Sequence, residues 1–131
     1  MKKKRVLLLE SDVILGACYV EALSEDGFLV DWAKTAEGAI RLADKHTPDV
    51  VVVELQIAEH NGVEFLYEFK SYAEWITVPV VVHTQLNATE IASVAALPVG
   101  LKIVAVLHKS HTSLTELCNA VEEAARATWT M

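Results

Sequence analysis

Four groups of polar side chains stand at the ends of short apolar runs in this sequence. They are Glu10-Ser11-Asp12, Glu54, His83-Thr84 and His108-Lys109. Carboxylates are ligands for hard cations such as Mg²⁺, a lysine pairs with anions, and a hydroxyl can hydrogen-bond to either kind of group. If the four groups met in the folded chain, they would form a polar site able to hold a charged ligand.

The runs that precede these groups are rich in β-branched residues, which predicts β-strands. Val50–Val53 and Val78–Val82 are continuously apolar, as strands covered on both faces of a sheet must be. We therefore predict that these two runs are central parallel strands. The five predicted strands are Arg5–Glu10, Phe28–Trp32, Asp49–Glu54, Pro79–His83 and Ile103–Leu107.

Between the strands, apolar residues recur every three to four positions, which predicts helices with one buried face. Gly27 follows the first helix where a left-handed cap is favoured, and Ser113 and Glu116 form a capping box that opens the last helix. The fourth helix, about Ala88–Ala96, has the weakest pattern because Pro98 and Gly100 break the periodicity soon after it.

Five strands alternating with five helices predict an α/β fold, a (βα)5 doubly wound parallel five-stranded sheet of the flavodoxin-like kind. Ligands of such sheets bind at the carboxyl ends of the strands, near the point where the strand order reverses. All four polar groups fall at those ends.

Composition limits the class of protein. The chain has 131 residues with no linker-like segment, so we expect a single domain over residues 1–131. No apolar run approaches the ~20 residues that span a bilayer, and no signal peptide is recognisable, so we expect a cytoplasmic protein without a membrane partner. The net charge of −7 disfavours nucleic acid as a direct partner. Cys18 and Cys118 lie in helical patterns, which predicts two buried, reduced thiols.

In its motifs and their order the sequence resembles the receiver domains of two-component response regulators. Arg5 to Asp12 resembles the first strand of that family with its acidic pair. Pro48 to Leu55, with Gly62 eight residues after Glu54, resembles the strand and loop that carry the phosphate-accepting aspartate. Val78 to Thr84 resembles the fourth strand with its hydroxyl switch residue, and Lys109 stands where the family has its lysine.

The resemblance implies a phosphorylation site at the strand ends. In the family, acidic residues hold a divalent cation, the lysine pairs with the phosphoryl group, and the switch hydroxyl hydrogen-bonds to it. Carried onto this chain, those positions are Glu54 as the acceptor equivalent, Thr84 and Val106 as the switch equivalents, and the pocket residues Glu10, Ser11, Asp12, Thr84 and Lys109.

Three departures from the family pattern weaken the phosphorylation chemistry. Glu54 replaces the acceptor aspartate and carries one more methylene, which displaces its carboxylate from the position that in-line transfer requires. Ser11 replaces the second acid and leaves Asp12 one residue out of register, where a helix cap is its simpler role. Ser110 and Val106 replace a proline and an aromatic residue. We expect no bound metal, with Glu10, Asp12 and Glu54 as weak candidates, and no other cofactor.

Some residues leave alternatives open. Glu54 could be a solvent-facing glutamate without a function, or an imitation of a phosphoryl group paired with Lys109. A metal site built from His60, His83, His108 and His111 is conceivable, but it lacks zinc-type spacing. Trp32, Trp75 and Trp129 are core or rim aromatics, and we expect Trp75 to be the most exposed of the three and suited to a binding surface.

The leading hypothesis is a non-enzymatic pseudo-receiver that binds a protein partner without phosphorylation of an aspartate. The alternatives are an atypical receiver phosphorylated on Glu54 or Asp12, and a sensor of a small ligand or metal in the same cleft. The family implies a partner surface, and a possible homodimer contact, on the face of the fourth helix, fifth strand and fifth helix. That face would include Ala92, Val106, His108 and residues Thr112 to Glu123.

Overall fold

The computed structural model describes residues 2–57, 61–94 and 96–127. Within them, five strands form one parallel sheet in the order β2-β1-β3-β4-β5. The strands are β1 (Arg5–Leu9), β2 (Leu29–Ala33), β3 (Val50–Val53), β4 (Val80–Thr84) and β5 (Ile103–His108). The strand order reverses between β1 and β3, which places the switch point of the sheet beside the ends of these two strands.

Five α-helices cover both faces of this sheet. They are α1 (Val13–Glu25), α2 (Ala36–Lys45), α3 (Gly62–Lys70), α4 (Ala88–Val94) and α5 (Leu114–Ala127). One apolar core lies between the sheet and α2 and α3, and a second lies between the sheet and α1 and α5. This is the predicted doubly wound architecture. No helix of the described residues is long and apolar enough to cross a membrane.

The two valine-rich runs form central strands of the sheet, as predicted. Every residue of β3 and β4 is buried, and β3 is the middle strand of the sheet. The ends of the strands differ from the predicted ends by about one residue, as is usual at element boundaries. The fourth helix was predicted to reach Ala96 but ends at Val94, and Ala95 lies outside the described residues.

The helix caps predicted from the sequence are present. Gly27 has a φ of 99° after α1, a conformation that glycine adopts without a Cβ penalty. At the start of α5, the Ser113 amide donates to Glu116 Oε1 at 2.9 Å and the Glu116 amide donates to Ser113 Oγ at 3.0 Å. The capping box is therefore confirmed in both directions.

Two burial predictions are wrong. Trp75 is 1% exposed, because the 3₁₀ turn Ala73–Trp75 directs its ring inward onto Phe69, with ring centroids 4.8 Å apart. Cys18 is exposed, whereas Cys118 is buried as predicted and both thiols are free. α1 is apolar on nearly all sides, so its pattern does not distinguish the face that packs from the face that does not.

The segment before Lys109 is irregular at two points. Val80 pairs with Ile103 but Val81 pairs with Ala105, so a β-bulge inserts Val104 into the edge strand. Lys102, just before β5, has a φ of 55° in the left-handed region. β5 ends at His108, so Lys109 directly follows the strand.

Candidate functional site

The polar groups at four strand ends meet at one edge of the sheet. Glu10 follows β1, Glu54 follows β3, Thr84 ends β4 and Lys109 follows β5. Because β1, β3, β4 and β5 are consecutive neighbours in the sheet, their carboxyl ends lie side by side. Glu10, Glu54 and Thr84 are buried. The sheet therefore forms a pocket in which two acids and a lysine are largely withdrawn from water.

Lys109 bridges the two buried carboxylates. Its Nζ lies 2.6 Å from Glu10 Oε1 and 2.9 Å from Glu54 Oε1. The side chains of Glu10 and Glu54 are 4% and 1% exposed, and that of Lys109 is 10% exposed. Charges this deeply buried persist only when they are paired and hydrogen-bonded. One ammonium thus partly neutralises two carboxylates and leaves the triad with a net charge of −1.

The electrostatics of the triad hold the lysine in its charged form. Burial by itself lowers the pKa of Lys109, but the hydrogen bonds and charges of Glu10 and Glu54 outweigh burial and raise the pKa above its ordinary value. The Lys109 Nζ also lies 5.8 Å from the centroid of the Tyr19 ring, within the range of a cation–π contact. The lysine of the bridge is therefore held in its protonated form by its two acidic partners.

The Glu54 carboxylate also holds two loops. Its Oε2 accepts a hydrogen bond from the Gln56 backbone amide at 3.2 Å, and its Oε1 accepts one from the Gln85 backbone amide at 3.1 Å. The side chains of these glutamines are hydrogen-bonded to each other, from Gln85 Nε2 to Gln56 Oε1 at 3.0 Å. Glu54 thus ties the β3–α3 loop to the β4–α4 loop. The alternative of a solvent-facing Glu54 is wrong.

The Ser11 and Asp12 side chains make hydrogen bonds outside the triad, whereas the Asp12 backbone amide donates to Glu10 Oε2 at 3.1 Å. Ser11 Oγ donates to the Lys34 carbonyl at 2.8 Å, in the loop after β2. Asp12 is exposed and caps α1, with its Oδ1 accepting the Leu15 amide at 2.8 Å. The helix-capping role predicted for Asp12 is confirmed.

The contacts of the pocket residues leave few oxygens arranged for a magnesium ion, and weak magnesium binding stays a prediction. Mg²⁺ requires near-octahedral oxygen ligands, and the two buried carboxylates are already bridged by the Lys109 ammonium. The Asp12 carboxylate is committed to the α1 cap, and Ser11 supplies no carboxylate. No group of three or more histidine, cysteine, aspartate or glutamate side chains suited to a metal occurs among the described residues.

Comparisons with known proteins identify the family. The family model described as the response regulator receiver domain matches residues 6–122. The chain belongs to this family. Of solved structures, the non-phosphorylated HemR receiver domain from Leptospira biflexa is 27% identical, with a TM-score of 0.78 over 94% of each chain. A CheY-like receiver domain from Methanospirillum hungatei is 15% identical, has a TM-score of 0.84 over 98% of each chain, and supports the fold alone.

Curated relatives of this receiver domain are transcriptional regulators by their descriptions. KdpE of Mycobacterium tuberculosis is 37% identical over 60 residues, which are 46% of this chain and 25% of that protein. AlgB of Pseudomonas aeruginosa, described as a regulator of alginate biosynthesis, is 25% identical over 95% of this chain and 30% of its own length. The chain thus spans less than a third of either relative.

The switch positions of this receiver differ in burial. Thr84 is fully buried, and its Oγ1 accepts the Leu86 amide at 3.1 Å, so the hydroxyl holds its own loop. Val106 lies opposite Val82 in the sheet and is 37% exposed. Their roles as switch residues stay a prediction.

Three pocket neighbours were missed from the sequence. Gln56 and Gln85 lie within two residues of predicted pocket residues, but no pattern indicated that their amides would contact Glu54. Tyr19 was hidden among the apolar residues of α1, and its ring packs edge-on against His83 with centroids 4.8 Å apart. The spacing of Tyr19 from Glu10, about two helical turns into α1, is the one signal that could have placed it over the pocket.

The histidines do not form the conceivable metal cluster in the described part of the chain. His83 is buried in the receiver pocket, where burial chiefly lowers its pKa to about 4 and the Lys109 charge adds to this effect. His108 accepts from the Ser110 amide through Nδ1, and its ring lies 5.0 Å from that of His111. His60 lies outside the described residues, as does Trp129.

Proposed function

We propose that this receiver domain is a non-enzymatic signalling adaptor that recognises a protein partner without an aspartate phosphorylation cycle. It acts in the cytoplasm and needs no metal or other cofactor. The chain's charge of −7 favours a protein partner over nucleic acid or an anionic membrane surface.

The observation that carries this proposal is the position of Lys109 between Glu10 and Glu54. Phosphoryl transfer to a carboxylate requires a cation that neutralises the transferred oxygens and an acceptor oxygen that is free to attack the phosphorus of the donor. Here both oxygens of Glu54 are engaged, one by Lys109 and Gln85 and the other by Gln56. A pocket with these contacts is partly neutralised by its own lysine, and its Glu54 oxygens are poorly placed to attack a phosphodonor.

The same contacts support a fixed output state. A phosphoryl group on a receiver would pair with the lysine and pull on the loop that follows Thr84. In this chain the Glu54 carboxylate makes an equivalent pair with Lys109 and also binds the amide that directly follows Thr84. Glu54 therefore acts as a permanent, singly charged substitute for the phosphoryl group.

The proposed partner surface is the face of α4, β5 and α5. Val104 and Val106 of β5 and Leu114 of α5 are large apolar side chains that are exposed, and Ala92 of α4 is exposed as well. An exposed group of aliphatic side chains with a polar rim is the composition of a protein contact surface. A homodimer through this face is the second form that the contact could take.

The test is incubation of the protein with acetyl phosphate and Mg²⁺, followed by intact-mass measurement. We expect no gain of the about 80 Da of a phosphoryl group, whereas a receiver with an acceptor aspartate gains it under the same conditions. A phosphoryl group found on Glu54 or Asp12 would show an atypical, phosphorylatable receiver instead.

A second experiment, co-purification from the source cell with this domain as bait, identifies the partner.

A further inference from the structure

A groove with an apolar floor lies beside the pocket, between the β3–α3 loop and α4. Its volume is about 420 Å³, within the range of small-molecule sites in proteins. Leu55, Val63, Leu86 and Leu97 contribute its apolar lining. These four side chains belong to or pack against the core under α2 and α3, so the floor of the groove is continuous with that core.

The groove shares its walls with the pocket. Gln56 lines one wall and Leu86 lines the other, and the Gln56 and Gln85 amides both donate to the Glu54 carboxylate. The side-chain bond between Gln56 and Gln85 spans the two loops. A molecule that entered the groove would therefore contact the same two loops that Glu54 holds together.

The acidic residue among the described residues that line the groove is Glu90, and the others are aliphatic or neutral polar. Glu90 Oε1 also accepts the Asn87 backbone amide at 3.1 Å and so caps α4. The larger groove between α2 and α3, by contrast, is lined by Glu37, Glu64, Glu68 and Arg41 and has a mostly charged rim. The Glu90 carboxylate beside an aliphatic floor favours a ligand that joins an apolar body to one cation and disfavours anions.

We propose that this groove binds a small amphiphile in which a short aliphatic or aromatic body carries a protonated amine. The body packs on Leu55, Leu86 and Leu97, and the ammonium faces Glu90. This site is separate from the phosphoacceptor pocket, and its occupant acts on the β3–α3 and β4–α4 loops through Gln56 and Gln85. The proposal does not depend on the partner-binding function above, because it stands on the groove itself.

A matched set of three probes tests the chemistry: hexylamine, hexanol and hexanoate. Each is titrated at pH 7 into the ¹⁵N-labelled protein, and amide chemical shifts are followed. We expect saturable shifts at Gln56, Gln85, Leu86 and Ser93, with hexylamine roughly threefold tighter than hexanol, the size of one exposed ion pair, and hexanoate weakest. Shifts centred on α2 and α3 instead, or equal affinities for all three probes, would overturn the proposal.

Two variants distinguish binding in this groove from nonspecific attraction of an amine to an acidic protein. Glu90→Gln should remove the preference for hexylamine over hexanol and leave hexanol binding unchanged. Glu68→Gln makes the same charge change in the α2–α3 groove and should leave the preference intact.

A third variant tests the position of the site directly. Ser93→Phe, on the exposed side of α4, should fill the groove and abolish binding of hexylamine and hexanol while the spectrum stays that of a folded protein. Retained binding in that variant would place the probes elsewhere and overturn the proposal.

Discussion

Glu54 and Lys109 form a buried ion pair, with 2.9 Å between Oε1 and Nζ and with the Glu54 side chain 1% exposed. The same ammonium lies 2.6 Å from Glu10 Oε1, so removing it would leave two adjacent buried carboxylates without a counter-charge. The Lys109 ammonium is therefore the counter-ion of both carboxylates in this pocket. Two consequences can be measured separately, one in stability and one in metal binding.

Lys109→Met should destabilise the fold by about 3–5 kcal/mol, because breaking a buried ion pair from one side leaves unpaired charge in a site poor in water. The free energy of unfolding from urea titration gives this value. Lys34→Met, which removes an ammonium that lies over the Trp32 ring in the loop after β2, is the matched control and should cost far less. A loss below about 1 kcal/mol for Lys109→Met would mean that the bridge is screened by solvent.

The same Lys109→Met variant should gain a site for divalent cations. Glu10 and Glu54 would present two adjacent carboxylates without the ammonium, and a cation bound to the folded state raises the midpoint of thermal unfolding. We expect Mn²⁺ or Ca²⁺ to stabilise Lys109→Met and to leave the wild type unchanged. The double variant Glu10→Gln/Lys109→Met should lose the gain. Equal stabilisation of wild type and variant would show that Lys109 does not exclude the metal.

Restoring phosphorylation should require two substitutions. Ser11→Asp supplies a missing carboxylate for Mg²⁺, and Glu54→Asp shortens the acceptor by one methylene so that it no longer reaches the Gln56 and Gln85 amides. With acetyl phosphate and Mg²⁺ we expect the double variant to gain a phosphoryl group and each single variant to gain little or none. Full phosphorylation of Glu54→Asp alone would mean that Ser11 is not a limiting position.

His83 should make the protein sensitive to mild acid. Burial lowers its pKa to about 4 in the folded state, whereas the unfolded chain binds the proton near the ordinary value of 6.5. The unfolded state therefore takes up more protons as pH falls, and the free energy of unfolding should drop by roughly 3 kcal/mol between pH 6.5 and 4 from this residue. Urea titrations across this range should show a shallower drop for His83→Leu. His46→Gln, at an exposed position, is the control and should keep the wild-type slope.

The fold could be predicted from the sequence because its strongest signals are local. The continuous β-branched runs of β3 and β4 are typical of a parallel sheet covered on both faces, and a parallel sheet brings Glu10, Glu54 and Lys109 to one edge. The bridge between these three charges required that β1 and β3 be adjacent and that β5 lie only one strand, β4, away from β3. The predicted meeting of the pocket acids with Lys109 thus rests on topology alone.

The remaining features depend on contacts that sequence patterns do not encode. Trp75 lies in a polar-looking connection, and only the 3₁₀ turn directs its ring onto Phe69. Cys18 lies on an α1 helix whose apolar residues surround it, so periodicity could not assign its face. The reach of Glu54 to the Gln56 and Gln85 amides depends on one methylene and on the shape of two loops.

The proposed partner face can be tested by substitution of Val106. Val106→Glu should weaken partner or dimer association at least tenfold by placing an unpaired charge in the contact, without unfolding the domain, because the position is partly exposed on an edge strand. Ile14→Glu introduces the same charge at an exposed position of α1 and should leave association unchanged. Glu116 is a poorer choice for charge reversal, because its carboxylate caps α5. Loss of association in Ile14→Glu alone would move the interface to α1.

The Glu54→Gln variant tests whether Glu54 acts as a substitute for a phosphoryl group or is a structural remnant without a function. Glutamine keeps the length of the side chain, but an NH₂ donor replaces one of the two oxygens that accept the Gln56 and Gln85 backbone amides, so one of these bonds is lost. It also loses the charge that pairs with Lys109. If Glu54 sets the loop conformation, hydrogen exchange of the Gln56 and Gln85 amides should accelerate about tenfold, which corresponds to about 1.4 kcal/mol of lost protection. The Leu15 amide, held by Asp12 on α1, is the internal control and should keep its protection.

The affinity of the co-purified partner decides what this loop change does. If the pocket controls output, Glu54→Gln and Lys109→Met should each weaken partner binding at least threefold in isothermal titration, measured at a temperature where both variants are folded. If the pocket is a relic, both variants lose stability but bind the partner as the wild type does. If the partner bound all three proteins equally, the receiver fold and the buried triad would stand as described, but the triad would have no role in partner recognition.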